Sequence, residues 1–151
     1  GANVDGVVGQ CSPLSTHLIK VACEAALGKR SEMSIFGDDY DTKDGSCVRD
    51  YIHVDDLASA HIDALWYLLN GGESTLCNCG YGHGFTVKEV LEVVKRISGA
   101  DFKVRVAGRR VGDAPFLISS ANKIRKVLGW KPRHDDLELI VKTAYEWERR
   151  V

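Results

Sequence analysis

The chain has 151 residues, of which 44% are hydrophobic and 27% charged, and its formal net charge is −1. This is the composition of an ordinary globular protein with one core. The scattered basic residues and near-neutral charge argue against a nucleic-acid partner. Membrane insertion is not expected either, because no apolar run approaches the roughly 18 residues that a span requires.

The first predicted element is a helix introduced by Ser12 and Pro13 and ended by Gly28, a common helix stop. Its apolar positions recur at helical spacing: Leu14, Leu18, Ala22 and Ala25. The next apolar run, 33–36, is long enough only for a strand. The loop 37–46 is rich in aspartate, but its spacing does not fit a calcium loop and no glutamate closes it.

Residues 47–53 predict a second strand, in which Arg49 and Tyr51 share one face. A cation and a phenol near the ring of Phe36 suit an anionic ligand that carries a flat ring. The alternative is a salt-bridged surface hairpin. Asp55 stands at the expected N-cap of a helix that runs to Asn70. This helix has a broad apolar face, formed by Leu57, His61, Ile62, Leu65, Trp66 and Leu69.

A third strand is predicted at 74–79, followed by a glycine-rich turn and a helix. Strand, turn and helix are the ingredients of a dinucleotide site, with Asp101 at a suitable distance for a ribose. However, Phe85 stands where the third glycine is required. A capping box formed by Thr86 and Glu89 already explains the turn, so we prefer a structural interpretation.

Residues 102–106 predict another strand, which leads to Arg109, Arg110 and Asp113. Two arginines can bind a phosphate and an aspartate can accept hydrogen bonds from ribose hydroxyls, although a surface Arg–Asp pair is equally consistent with the pattern. Ser120 is expected to cap a short helix ended by Gly129. The last element is an amphipathic helix over 136–150.

The cysteines are odd in number and lack the repeated close pairs of a zinc site. We interpret them as reduced thiols of a cytosolic protein, although residues 77 and 79 could share a strand face. The N-terminus has no signal-peptide pattern, and the only methionine is Met33. Together these features favour a fragment or a processed product over a complete reading frame.

Three segments together resemble a known family. They read IFGDDYDTKDGSCVRDYIHVDDLASAH from residue 35, GRRVGDAP from residue 108 and KVLGWKPR from residue 126. In this order they resemble the UDP-glucose 4-epimerases, which are extended short-chain dehydrogenase/reductases with an NAD-binding Rossmann-type α/β fold. The resemblance covers nearly the whole chain, 1–151. It implies the C-terminal, substrate-binding portion, without the N-terminal Rossmann half.

The resemblance also implies roles for individual residues. Phe36 would lie against a uracil ring, and the backbone near Ser34 would read the edge of the base. Arg49 and Arg110 would hold the diphosphate and Asp113 the ribose. Leu18 would line the nucleotide pocket, and Leu117 would lie beside the sugar. Leu117 leaves open whether an N-acetyl group fits.

The family's reaction requires NAD, which takes a hydride from C4 of the sugar, and a Tyr base with a Lys four residues later. No tyrosine of this chain has a lysine at that distance. We therefore expect an inactive fragment of an enzyme that interconverts UDP-glucose and UDP-galactose, with NAD bound by the absent half. Residues 50–80 would pack on that half, and the parent would be a cytoplasmic homodimer. The alternatives are an epimerase or dehydratase for another nucleotide sugar and a stand-alone nucleotide-sugar binding module.

Overall fold

The computed structural model describes residues 1–12 and 14–151, which form an α/β fold. The helices are α1 (Leu18–Ala26), α2 (Val54–Leu69), α3 (Val87–Ser98), α4 (Asn122–Leu128) and α5 (Leu137–Glu148). The strands are β1 (Met33–Phe36), β2 (Val48–Arg49), β3 (Phe85–Thr86), β4 (Val104–Ala107) and β5 (Phe116–Leu117). Within these ranges, no helix combines the length and the apolar character needed to cross a membrane.

The main core lies where α1, α3 and α5 pack on one another and against β1. It is built from alternate or helically spaced apolar residues, including Ala22, Met33, Ile35, Val90, Val94 and Val141. β1 pairs in parallel with β4, from Met33 opposite Val104 to Phe36 opposite Ala107. Since Met33 and Ile35 point into the core, the intervening Ser34 and Phe36 face the other side of the strand.

A second, three-stranded sheet has β2 in the middle. β2 runs antiparallel to β3 and parallel to β5, so that Arg49 lies opposite both Phe85 and Leu117. This small sheet brings together segments that are far apart in the sequence. It therefore determines where the loop before β5 meets the end of β1.

The helix α2 is attached through its N-terminal part and through a second core cluster that includes Ala60, Tyr81 and Trp130. Its predicted broad apolar face is present, but in this structure that face is exposed to solvent. Trp66 is 60% exposed, and Ile62, Leu65 and Leu69 are exposed as well. Exposed apolar surface of this extent is typical of a face that packs on another surface.

Several predicted elements match the structure. The strand at Met33–Phe36 has the predicted bounds, and the capping box of Thr86 and Glu89 begins α3 with both of its hydrogen bonds formed. Gly129 ends α4 in the left-handed conformation that glycine favours. The last helix is confirmed as α5, with Asp136 as its N-cap rather than its first helical residue.

The first helix is shorter than predicted. It begins at Leu18 with His17 as N-cap, so Ser12 does not introduce it, and Leu14 is exposed outside it. The prediction for Pro13 falls outside the described residues. The segment before the helix is instead held by the Ser15 hydroxyl, which accepts hydrogen bonds from the Gln10 side chain and from the His17 backbone N–H.

Three strand predictions require correction. The strand predicted at 47–53 is limited to Val48–Arg49, and the strand predicted at 102–106 is β4, which starts two residues later. Residues 74–79 form no strand, because no other segment of the described chain pairs with them. The sequence pattern therefore indicated a strand there but could not supply a sheet partner.

Two predicted helix caps are also wrong. His53, not Asp55, caps α2, because the His53 ring accepts a hydrogen bond from the Asp55 backbone N–H. The N-cap of α4 is Ala121 rather than Ser120, and no side chain caps that helix.

Candidate functional site

A large cavity opens at the end of β1, with Phe36 and Ser34 in its wall. The volume of the cavity is about 1320 Å³, sufficient for a nucleotide-sized ligand. It is lined by seven of the eight residues that sequence reasoning had selected: Leu18, Ser34, Phe36, Arg49, Tyr51, Arg110 and Asp113. The fold thus gathers residues from α1, β1, β2 and the loop between β4 and β5.

The remaining selected residue, Leu117, does not line this cavity. It lies on β5 directly opposite Arg49 and is 64% exposed. Its position next to Arg49 keeps it at the edge of the site, but its side chain is not part of the cavity wall.

The ring of Phe36 is covered by a guanidinium group. The central carbon of the Arg110 guanidinium lies 3.6 Å from the Phe36 ring centroid, a close cation–π contact. Arg110 begins a tight turn in which its carbonyl accepts a hydrogen bond from the Asp113 N–H at 3.2 Å. The turn therefore sets Arg110 and Asp113 side by side at the mouth of the cavity.

Arg49 connects β2 to the same loop. Its Nη1 donates to the carbonyl oxygens of Val48 and Ala114, at 2.8 and 2.9 Å. Its Nη2 donates to Oδ1 of Asp113 at 2.9 Å. The Arg49–Asp113 pair is partly exposed, so its own contribution to stability is modest. Its main consequence is geometric, because it fixes the loop over the cavity.

Tyr51 reaches the cavity by a different route from the predicted one. Because β2 ends at Arg49, strand alternation does not place the two side chains on one face. Tyr51 instead packs against the main core, where burial raises the pKa of its phenol. A phenol that stays protonated near neutral pH can donate a hydrogen bond to a ligand but does not act as a base there.

The aspartate-rich loop 37–46 is held by its own hydrogen bonds. Asp44 accepts from the backbone N–H and the hydroxyl of Ser46, and also from the Thr86 hydroxyl, which ties the loop to the start of α3. Asp39 pairs with Arg109, whose guanidinium lies over the ring of Tyr40. Across residues 1–12 and 14–151, no group of three or more potential ligands could hold a metal ion.

The glycine-rich turn does not fit NAD. A dinucleotide site offers unpaired backbone N–H groups at a helix N-terminus to the pyrophosphate. Here the Thr86 hydroxyl already accepts the Glu89 N–H, and the Glu89 carboxylate accepts the Thr86 N–H. Asp101, the candidate ribose acid, is paired with Lys95 at 2.8 Å. This part of the chain is therefore a structural connection.

Sequence reasoning missed a buried polar network at the start of α2. Asp56 accepts hydrogen bonds from the Tyr81 hydroxyl, from the backbone N–H groups of Arg133 and His134, and from the His134 ring. The His53 ring stacks on the His134 ring, with 4.8 Å between their centroids. The sequence carried no local signal for this network, because its members are distant along the chain.

The fold and the site define a class: the protein has a partial extended short-chain dehydrogenase/reductase fold. The family model described as GDP-mannose 4,6 dehydratase matches residues 7–143. The chain therefore belongs to this family.

Individual relatives are epimerases. The UDP-glucose 4-epimerase of Azospirillum brasilense is 54% identical over 149 residues, which are 99% of this chain and 43% of that protein. The solved UDP-Glc/GlcNAc 4-epimerase of Campylobacter jejuni is 59% identical, with a TM-score of 0.82 over 95% of this chain and 43% of its own. The UDP-glucose 4-epimerase of Bifidobacterium longum, solved with NAD+ and UDP, is 32% identical, with a TM-score of 0.91 over 99% of this chain and 44% of its own. The chain spans less than half the length of these relatives.

Proposed function

We propose that this chain is the UDP-sugar-binding part of a UDP-glucose 4-epimerase. The observation that carries the proposal is the single cavity that gathers Phe36, Arg49, Arg110 and Asp113. One aromatic ring, two guanidinium groups and one carboxylate match a base, a diphosphate and a ribose in chemical type. The UDP in the Bifidobacterium longum structure supports the same ligand class.

In this proposal the uracil lies against the Phe36 ring, and Leu18 and the backbone near Ser34 complete its pocket. Arg110 leaves the ring when the base enters and turns to the diphosphate. Asp113 keeps Oδ1 on Arg49, so that its other oxygen is free to accept a ribose hydroxyl. Tyr51 contributes a protonated phenol to the wall of the same cavity.

The complete reaction belongs to a longer protein. We propose that the parent enzyme interconverts UDP-glucose and UDP-galactose by transient oxidation at C4 of the sugar, with NAD bound outside this chain. The NAD in the Bifidobacterium longum relative supports the cofactor. The capping box at the start of α3 and the pairing of Asp101 with Lys95 support NAD binding outside this chain. On this basis the chain alone is inactive.

We further propose that residues 50–80 pack on the remainder of the parent protein. The exposed apolar face of α2 and the 85% exposed side chain of Leu76 support this packing. The parent is proposed to be a homodimer in the cytoplasm.

A second candidate substrate is UDP-N-acetylglucosamine. It is supported by the Campylobacter jejuni relative, which is described as a UDP-Glc/GlcNAc 4-epimerase and is 59% identical to this chain. In the same proposal Leu117, which is exposed at the edge of the site, lies beside the sugar.

Calorimetric titration of this chain with UDP, UDP-glucose and UDP-N-acetylglucosamine tests the proposal. We expect saturable binding of UDP and of at least one of the sugar derivatives. A double variant with Arg49→Ala and Arg110→Ala should lose at least tenfold in affinity, since each charged hydrogen bond contributes about 1.5 to 3 kcal/mol. A matched double variant at exposed arginines, Arg96→Ala and Arg105→Ala, should bind like the parent chain. Equal losses in both double variants would contradict the proposed site.

A further inference from the structure

Asp50 lies where the three strands of the second sheet separate. β2 ends at the preceding residue, Arg49. Beyond this point the hydrogen bonds to the neighbouring segments come from the Asp50 carboxylate and not from the backbone. Oδ1 accepts the Tyr81 N–H at 3.3 Å, and Oδ2 accepts the Ser119 N–H at 3.2 Å. One side chain thus holds the segments on both sides of the central strand.

The chain leaves little room around this carboxylate. A Cβ atom added to Gly80 would lie 2.3 Å from Asp50 Oδ2 and 2.7 Å from the Ser119 Cβ. The backbone of Gly80 is not in the left-handed region, so any side chain could adopt its conformation. The glycine is therefore needed for the close approach of the carboxylate and not for its own backbone geometry.

We propose that Asp50 is a positioning residue for the nucleotide-sugar site. By fixing Ser119, it holds the end of β5, two residues beyond Leu117, which lies opposite Arg49. By fixing Tyr81, it holds the chain that leads into β3 on the other side of Arg49. This inference rests on the proposed function and assigns to Asp50 the alignment of Arg49 and of the sugar end of the site.

The direction in which Asp50→Asn changes ligand affinity distinguishes a positioning role from a purely electrostatic one. Asp50 itself lines the cavity, so removing its negative charge would by electrostatics alone favour an anionic ligand. Positioning requires the opposite result. Asn has one acceptor oxygen, so Asp50→Asn loses one of the two backbone hydrogen bonds and places an N–H group against an N–H group.

Calorimetric titration with UDP and UDP-glucose tests the inference on the parent chain and three variants. Asp50→Asn removes one hydrogen bond. Gly80→Ala keeps the Asp50 residue and its charge but pushes its carboxylate aside. Asp41→Asn removes an exposed carboxylate from a loop and is the charge-matched control. Urea denaturation of each variant at the temperature of the calorimetric titration checks that the variant is folded there.

We expect Asp50→Asn and Gly80→Ala to bind UDP-glucose about tenfold more weakly, the scale of one charged hydrogen bond lost between a misaligned Arg49 and the ligand, with a smaller loss for UDP and unchanged stoichiometry. The control should stay within twofold of the parent. Unchanged or tighter binding by the folded variants, or a lower stoichiometry at the parent's Kd, would overturn the positioning role. If the folded parent chain binds neither ligand, the proposed function itself fails.

Discussion

The substitution Asp56→Asn should strongly destabilise this chain. Asp56 is only 1% exposed, and its carboxylate accepts four hydrogen bonds. Oδ1 accepts from the Arg133 N–H and the His134 ring, and Oδ2 accepts from the Tyr81 hydroxyl and the His134 N–H. Asn replaces one oxygen with an N–H₂ group, which accepts no hydrogen bond, so either the Arg133 N–H or the His134 N–H loses its acceptor whichever way the amide turns.

The size of the loss in stability depends on which hydrogen-bond donors can find a new acceptor in the variant. The Tyr81 hydroxyl can turn to the His134 carbonyl, 3.0 Å away, but a backbone N–H that loses its acceptor cannot rotate to a new one. With hydrogen bonds to charged groups contributing about 1.5 to 3 kcal/mol each, we expect a loss of about 3 kcal/mol in the free energy of unfolding. In a chain of this size this corresponds to a decrease in Tm of about 6 to 12 °C.

Urea denaturation followed by circular dichroism at pH 7 measures this loss. Asp63→Asn is the matched control, because Asp63 lies on the same helix and is only partly buried. We expect the control to stay within about 0.5 kcal/mol of the parent chain. A loss below about 1 kcal/mol for Asp56→Asn would show that this network does not stabilise the fold as proposed, since that is the contribution of a single ordinary hydrogen bond.

The difference in the free energy of unfolding between the parent chain and Asp56→Asn should depend on pH. Burial raises the pKa of Asp56, but hydrogen bonds from Arg133, Tyr81 and His134 outweigh it, so the net pKa is lowered. The stabilisation is therefore complete above the unfolded pKa of about 3.9 and is lost as the pH falls through the lower folded pKa. We expect the difference between parent and Asp56→Asn to narrow only below about pH 4.

Three further predictions concern other parts of the fold. Thr86→Ala should lower the free energy of unfolding by about 1 to 2 kcal/mol because it removes the cap of α3, whereas Thr86→Ser should retain most of the stability; equal losses would contradict this role. Burial lowers the pKa of His53, so the unfolded chain binds more protons and stability should decrease as the pH falls below about 6.5; urea titrations in which His53→Gln shows the same decrease would contradict this assignment. Because Leu65 and Trp66 are exposed on α2, we expect the chain to self-associate in sedimentation velocity and a double serine variant to do so less; a monomeric parent chain or unchanged association in the variant would contradict the proposed packing face.

Local sequence pattern was sufficient for the elements that depend on neighbouring residues. The short apolar run at 33–36 predicted a strand with the observed bounds, and the Thr86–Glu89 spacing identified the start of α3. Arg110 and Asp113 were placed together because a single turn contains both. In each case the determining contacts lie within four residues along the chain.

Contacts between distant segments could not be read in this way. The Arg49–Asp113 pair joins residues 64 positions apart, and the two hydrogen bonds of Asp50 span 31 and 69 positions. Residues 74–79 have the pattern of a strand, but a strand needs a partner, which the described chain does not provide. The apolar stripe of α2 was visible in the sequence, but the pattern alone named no partner for it, and this face is exposed in the described chain.

In the proposed site, the base of a uridine nucleotide lies against Phe36 inside the cavity. Isotope-filtered NMR of the labelled chain with bound UDP tests it directly, through nuclear Overhauser contacts from the uracil H5 and H6 protons. We expect contacts to the Phe36 ring and to the Leu18 methyl groups, together with a shift of the Arg110 side-chain resonances as Arg110 leaves the ring. If UDP binds but its uracil protons contact residues outside the cavity and Arg110 is unperturbed, the proposed site is wrong.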